Sequence, residues 1–402
     1  MRPFTSTIPI EEARQLLSNG VRPVARTETL RLAHAAGRIA GADVASTLFA
    51  PPFSRSAMDG YAVVAADTAS ASPDSPVCLR IVERVYTGNV PTQTVASGTC
   101  AEIATGAPMP DGADAVVMVE DTSRVDDEHA AIRAAARTGQ NIGRKGADIS
   151  PSDLVVRRGD LLTPSRIGAV AAVGLAAVEV FARPRVAILS TGNEVIAPGT
   201  PIGPGQVYDV NRYTLAAVAH AHGCAAELHA PARDTVDALE AALDTCLDAD
   251  IIIFSGGSSV GERDLLIDLV ARRGEVVFHG IAVKPGKPTL FATIDGRPFF
   301  GMPGNPTSCL SNAYILLVPF LRSTARLPVH APRTVEATLG RRIVSVANRH
   351  QFYTVRLDGS VALPAFKGSG DITSLSQADG YIEIPAGTDV IIEGTHVRVT
   401  LL

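Results

Sequence analysis

The sequence has few cysteines, no long apolar run and no excess of basic charge. Its five cysteines (Cys78, Cys100, Cys224, Cys246, Cys309) are odd in number and scattered over 402 residues. No CxxC occurs and no Cys/His pair has zinc-finger spacing, which argues against a disulfide framework or a zinc module. They read as reduced, mostly buried small residues of a cytosolic protein. The longest weakly polar run, Ile167 to Val178, is mostly Ala and Gly and too short to span a bilayer. Thirty-six Lys and Arg against 41 Asp and Glu leave a net charge of -5. A general nucleic-acid binder or a polybasic membrane binder needs the opposite balance, so neither partner is expected; a local basic pocket is compatible with the net charge. Residues 1–6 show no apolar core followed by a small-residue cleavage site, so secretion is not expected. Internal repeats and low-complexity tracts are also missing.

With 46% apolar and 19% charged residues the chain reads as globular, and at roughly 100–200 residues per domain it has room for two to four domains. The stretches 8–17 and 29–39 read as helical, Pro9 and the two following glutamates suiting a helix start. From Ala50-Pro51-Pro52-Phe53 to Asp148 the texture changes to Gly, Pro and Thr with short β-type runs, which suggests a small β-rich domain. Residues 160–180 look helical again, so the first and third blocks are expected to form one domain interrupted by the second. Over 183–325, β-branched runs at 185–189 and 251–254 alternate with helical patterns at 213–222, 235–247 and 265–271. That alternation points to a parallel sheet covered on both faces, with a hairpin turn at Ile294-Asp295-Gly296-Arg297. From about Leu327 the helical period fades and alternating runs predict a small β-barrel or sandwich.

In open α/β sheets, ligands bind beyond the carboxyl ends of the strands. Two polar loops occupy such places: Ser190-Thr191-Gly192-Asn193-Glu194 and Ser255-Gly256-Gly257-Ser258-Ser259-Val260-Gly261, the latter leading to Glu262 and Asp264. Glycines permit close backbone approach, and free N–H groups near a helix start favour phosphate or another oxyanion. Tight turns explain such glycines equally well. The second loop also matches G-x-S-x-G, but Ser259 stands five residues beyond Phe254 rather than directly after the strand, so a nucleophile elbow is not inferred. In Lys284-Pro285-Gly286-Lys287-Pro288, two ammonium groups sit three apart on a proline-stiffened backbone, an arrangement suited to phosphate or a tetrahedral metal oxide. Pro303-Gly304-Asn305-Pro306 brings further amides to a helix start. Glu194, Asp234 and Asp264 are candidates for holding Mg²⁺ between phosphate oxygens; for Asp234, directly before Thr235, helix capping is the plainer role.

The order of these loops, together with Ser56-Ala57-Met58-Asp59-Gly60-Tyr61-Ala62, Thr105-Gly106-Ala107-Pro108 and Gly143…Gly146-Ala147-Asp148-Ile149, resembles the MoeA family of molybdopterin molybdenumtransferases. The likeness covers essentially the whole chain and is similar to the E-domain of gephyrin. It implies an α/β multidomain fold: an α/β molybdopterin-binding domain of three layers like that of molybdopterin adenylyltransferase (MogA-like), an inserted β-rich domain, a helical linker domain and a C-terminal small β-barrel. The expected divisions are 1–48 with 149–181, 49–148, 182–326 and 327–402. It also implies conversion of adenylylated molybdopterin and molybdate to molybdenum cofactor and AMP with Mg²⁺, in a cytoplasmic homodimer. Molybdopterin adenylyltransferase and acceptor molybdoenzymes are the implied partners. Catalytic positions carried over are Asp59, Thr105, Asp148, Glu194, Asp234 and Asp264, with Glu194 and Asp264 toward the metal. Substrate-binding positions are Ser190, Thr191, Gly192, Ser255, Gly256, Gly257, Lys284, Lys287, Pro303, Gly304, Asn305 and Pro306. The competing readings are a molybdopterin adenylyltransferase on the same fold and a non-catalytic cofactor carrier or scaffold. Two departures stand out: Asn193 where the family commonly has Asp, and Ser258 where it commonly has Val.

Overall fold

The computed structural model describes residues 7–256 and 265–402. The chain divides into two compact units, one formed by Thr29–Val180 and the other by Met1–Glu28 with Phe181–Leu402.

Thr29–Val180 contains separate cores. One gathers Ala35, Ala40, Val44, Val156, Leu162, Val170, Val178 and Val180. The others lie on the two faces of a six-stranded mixed sheet whose strands run from Gly60–Val63 to His129–Ile132. The helix expected at 29–39 does not form. Thr27–Arg31 is extended and only Leu32–His34 coils, as a short 3₁₀ turn. The apolar residues there are too few to give a buried helical stripe, and tertiary packing overrides a weak local preference. In 160–180 the helix is confined to Pro164–Ala172, started by the Thr163 side chain, which accepts from the Arg166 N–H.

The other unit is built on a six-stranded sheet in the order Ala225–Leu228, Arg185–Ser190, Ile251–Ser255, Arg297–Met302, Leu290–Ile294, Gly274–His279. The first four strands are parallel, and the last two are joined by antiparallel pairings, so that Leu290–Ile294 alone runs against the rest. Successive strand residues face opposite sides. Val186, Ile188, Ile251, Ile253 and Phe300 therefore enter one core with the helices Ile10–Gly20 and Asn211–Ala221. Ala187, Leu189, Ile252, Phe254 and Phe299 enter the other with Val236–Cys246 and Leu265–Arg273. The hairpin forms as expected, with Asp295 at φ 47° and Gly296 at φ 76° supplying the two positive dihedrals of a tight antiparallel turn. The helix that starts after the Pro303-Gly304-Asn305-Pro306 loop is divided into α-helix Pro306–Asn312, a π turn Ala313–Leu317 and α-helix Val318–Thr324.

Beyond it, Thr334–Leu339, Val361–Pro364, His350–Asp358, Gly380–Ile384 and His396–Leu401 pair in a closed ring of five strands. Closure leaves these strands without a free edge around the ring. Val283–Lys284 adds to its rim, parallel to His350 and Gln351.

Cys100, Cys224, Cys246 and Cys309 are buried free thiols, and Cys78 is exposed. Burial pushes the Cys309 thiol up to about 12, which leaves it unreactive near neutral pH. No described helix is long and apolar enough to cross a membrane.

The segment that follows the N-terminal helix is tied down by Arg26, which grips Asp250 through both guanidinium nitrogens at 2.7 and 2.6 Å. Burial raises the Asp250 carboxyl, but Arg26 and the Arg185 N–H outweigh it and hold the group below its ordinary value. A lowered carboxylate stabilises above its unfolded pKa and loses that contribution as pH falls through the folded one. Partial exposure of Arg26 (41%) screens the pair. Asp250→Asn is therefore expected to cost about 1–2 kcal/mol in urea unfolding at pH 7, the gap from wild type closing as pH drops below about 4.

Candidate functional site

At the carboxyl ends of the parallel strands lies a cleft of about 1360 Å³, larger than the roughly 300–1,000 Å³ of an ordinary small-molecule pocket. Leu290 is paired with Gly301, so the lysine loop that precedes it opens at the same rim. Of the expected residues, the cleft gathers Ser190, Thr191, Glu194, Asp234, Ser255, Gly256, Lys284, Lys287 and the whole of Pro303–Pro306. Gly192 lies directly beneath Glu194: a Cβ on it would stand 2.9 Å from both carboxylate oxygens. Gly257 and Asp264 fall outside the described residues. Asp59, Thr105 and Asp148 belong to the Thr29–Val180 unit.

Three described amides at the bases of the glycine-rich loops are already hydrogen-bonded to neighbouring backbone. The Thr191 N–H donates to Ser255 O at 2.8 Å, Gly192 to Ala232 O at 3.2 Å and Gly256 to Met302 O at 3.1 Å. The Ser308 N–H, in the first turn of Pro306–Asn312, donates to Ser369 O at 3.3 Å. These bonds lace the strand ends together.

Side chains extend the lacing. Ser190 Oγ donates to Asp209 Oδ1 at 2.7 Å, and Asp209 pairs with Arg212 at 3.0 Å. Asn211 Nδ2 reaches Ser255 Oγ and Gly304 O, each at 2.8 Å. One buried amide thus joins the start of a helix to the ends of two strands. The Thr235 side chain accepts from the Ala238 N–H and caps Val236–Cys246, so Asp234 is released from the capping role. Its Oδ1 is buried with no hydrogen-bond partner among the described residues, and burial, followed by the charge of Glu194, raises its pKa. Two neighbouring carboxylates, one with an unused buried oxygen, suit a hard cation that keeps waters and takes further oxygens from a phosphate. Among the described residues no cluster of three or more His, Cys, Asp or Glu forms a complete metal site.

Two cations were not singled out in the sequence. Arg349 and Lys367 line the same cleft as Lys284 and Lys287. Neither has a telling spacing. Arg349 comes into place because His350 is registered against Val283, and Lys367 because the loop through Gly368–Asp371 folds over Pro306–Asn312. There Thr307 Oγ1 donates to the Asp371 carbonyl, and Asn305 Nδ2 to Ser369 Oγ at 3.3 Å. In the Thr29–Val180 unit, Asp59 Oδ1 accepts from both the N–H (2.7 Å) and the hydroxyl (3.0 Å) of Thr105. Those bonds, the backbone one foremost, lower its pKa.

A multidomain α/β protein with a large cleft of four cations and paired carboxylates at its strand ends has the chemistry to bind an anion. Comparison with known proteins makes this specific. The profile described as MoeA N-terminal region (domain I and II) matches residues 8–174. A probable molybdopterin binding domain matches 187–323, and the MoeA C-terminal region (domain IV) matches 336–402. Molybdopterin molybdenumtransferase 2 of Mycobacterium tuberculosis is 36% identical over 400 residues, spanning 97% of this chain and 98% of that protein. The molybdopterin molybdenumtransferase of Haemophilus influenzae is 30% identical, spanning 96% and 98%. A crystal structure of a molybdopterin biosynthesis MoeA protein from Pyrococcus horikoshii superposes with a TM-score of 0.86 at 38% identity, covering 98% of this chain and 99% of that one. The chain belongs to the MoeA family of molybdopterin molybdenumtransferases, and it is a transferase of molybdenum cofactor biosynthesis.

Gly256 has φ 102°, and a Cβ there would stand 2.4 Å from Thr191 O. Gly256→Ala is expected to cost about 1–3 kcal/mol, read as a lower thermal midpoint, and to part the 190–194 and 255–256 loops.

Proposed function

We propose that the protein converts adenylylated molybdopterin and molybdate to molybdenum cofactor and AMP. The observation that carries this reading is the gathering of Lys284, Lys287, Arg349 and Lys367 with Glu194 and Asp234 in one cleft. A tetrahedral dianion asks for several fixed donors of positive charge, and a cleft of this size also accommodates a nucleotide-tagged pterin.

Lys284, Lys287 and Arg349 hold molybdate, with Lys367 beside it. Proline on both sides of Gly286 limits the freedom those lysines lose when they bind. Pro303 and Pro306 shape their loop rather than touch the reacting atoms. Both dithiolene sulfurs bond to molybdenum, displaced oxygen leaves as water with the thiol protons, and a second water cleaves the phosphoanhydride to release AMP. Much of the acceleration comes from placing molybdate beside the dithiolene before the adenylate leaves. Glu194 and Asp234, with Asp264, are the groups that would hold Mg²⁺, which when bound neutralises phosphate charge. Asp59, kept ionised by Thr105, and Asp148 serve from a second copy in a homodimer. We further divide Thr29–Val180 so that 49–148 is an inserted domain, a split supported by its separate cores. The setting is cytoplasmic, between an adenylyltransferase that supplies the substrate and the molybdoenzymes that take the product.

AMP release from adenylylated molybdopterin, measured with and without molybdate, tests the reading. Molybdate-dependent release is expected, whereas adenylate formation from molybdopterin and ATP, or binding without release, would overturn it. Glu194→Ala is expected to leave the fold intact and reduce turnover about a hundredfold or more. The raised Asp234 pKa sets a sign as well. Mg²⁺ half-saturation should rise as pH falls through the carboxylate range, and Glu194→Gln, which removes one cause of that raised value, should move this loss to lower pH.

A further inference from the structure

We propose that Asn312, which lines no part of the cleft, is a positioning residue for the oxyanion site: it sets the turn between Lys284 and Lys287 from below. This rests on the reading of those lysines as the molybdate site.

Asn312 is the last residue of Pro306–Asn312 and is 0% exposed. Its Nδ2 donates to Gly286 O at 2.8 Å and to Thr289 Oγ1 at 2.6 Å. Thr289, itself buried, donates in turn to Gly286 O at 2.9 Å. Two donors therefore converge on the carbonyl that lies between the two lysines. Gly286 has φ 99°, and a Cβ on it would lie 2.3 Å from Asn312 Nδ2. The amide plane thus packs directly against the turn.

Satisfying buried polar groups does not account for this arrangement. Gly286 O already has the Thr289 hydroxyl, while Asn312 Oδ1 is buried with no partner among the described residues. An unsatisfied buried oxygen is a net cost, so Asn312 adds an unmet acceptor to supply a donor that the carbonyl did not need. What it does add is direction: with both bonds made, Gly286 cannot rotate and the lysine on either side keeps its heading. The helix geometry serves the same end. The chain switches to a π turn at Ala313, the next residue, and such local widening is frequent at functional sites. Pro306, at the other end of this short helix, lines the cleft, so one rigid segment connects the Pro303–Pro306 lip to the support under the lysine turn.

Titration of the full chain with molybdate, and separately with AMP, tests the proposal on Asn312→Ala, Thr289→Val, Thr289→Ser and Lys284→Ala. Asn312→Ala and Thr289→Val are expected to weaken molybdate about tenfold while AMP stays within twofold, and Thr289→Ser, which keeps the hydroxyl, to stay near wild type. If Asn312→Ala does not fold, the Val and Ser pair at Thr289 decides. Wild-type molybdate affinity in Asn312→Ala and Thr289→Val, alongside loss in Lys284→Ala, overturns the positioning role alone. Equal weakening of molybdate and AMP overturns it too, since that is the mark of general loosening. Unchanged molybdate affinity in Lys284→Ala brings down the cationic site and this proposal with it.

Discussion

Val283–Lys284 is the joint on which the site depends. It lies beside His350 and Gln351 as an extra strand on the barrel rim, and the His350 N–H donates to Ala282 O at 3.0 Å. Lys284 and Arg349 are thereby held on neighbouring backbones rather than on two independent loops. Like charges brought together repel, and the repulsion grows as water is removed. A flexible pair would relax outward, whereas strand pairing and the proline-flanked turn keep the cations together. The barrel is equally anchored on the other side: Phe352 is buried in the core shared with the α/β sheet and meets Tyr381 edge-on, with ring centroids 5.7 Å apart.

The polar loops divide their labour accordingly. Backbone amides near the strand ends are used up in holding Thr191, Gly192 and Gly256 to neighbouring strands, and Asn211 does the same with its side chain. Gly192 and Gly256 are explained by close approach: a Cβ on either would stand under 3 Å from a neighbouring atom. In the function proposed above, anion recognition rests chiefly on lysine and arginine, whose charge does not depend on the loop's own dipoles. A rigid polar frame carrying long cationic side chains is then a means of presenting charge in a fixed place, which is what preorganised electrostatic catalysis needs.

Much of this was legible beforehand because it depends on local pattern. The β-branched runs at 185–189 and 251–254 and the spacing of Leu239 and Leu243 report burial directly, and the Asp295-Gly296 turn reports its own dihedrals. The lysine pair was visible because prolines around it have no use in a solvated face. The Thr29–Ile39 stretch misled because its apolar residues fit a helix or an irregular segment equally well. Arg349 and Lys367 were illegible for a different reason: they reach the cleft through strand register and loop folding, and neither leaves a trace in local spacing. Asn312 was hidden likewise, as a polar residue inside an apolar run whose partners are 23 and 26 positions away.

Asn193 shows how a departure from a familiar motif can be read physically. Its Oδ1 accepts from the Asp234 N–H at 3.3 Å, a task that an aspartate oxygen performs as well. The scaffolding part of the position is therefore retained. What is missing is a negative charge next to a carboxyl that burial and Glu194 already push toward its neutral form. A third carboxylate there would press Asp234 further in that direction, and the neutral amide spares it. The substitution keeps the hydrogen bond to the Asp234 N–H while leaving Asp234 easier to ionise, which suits the proposed role of Glu194 and Asp234, rather than residue 193, toward a cation.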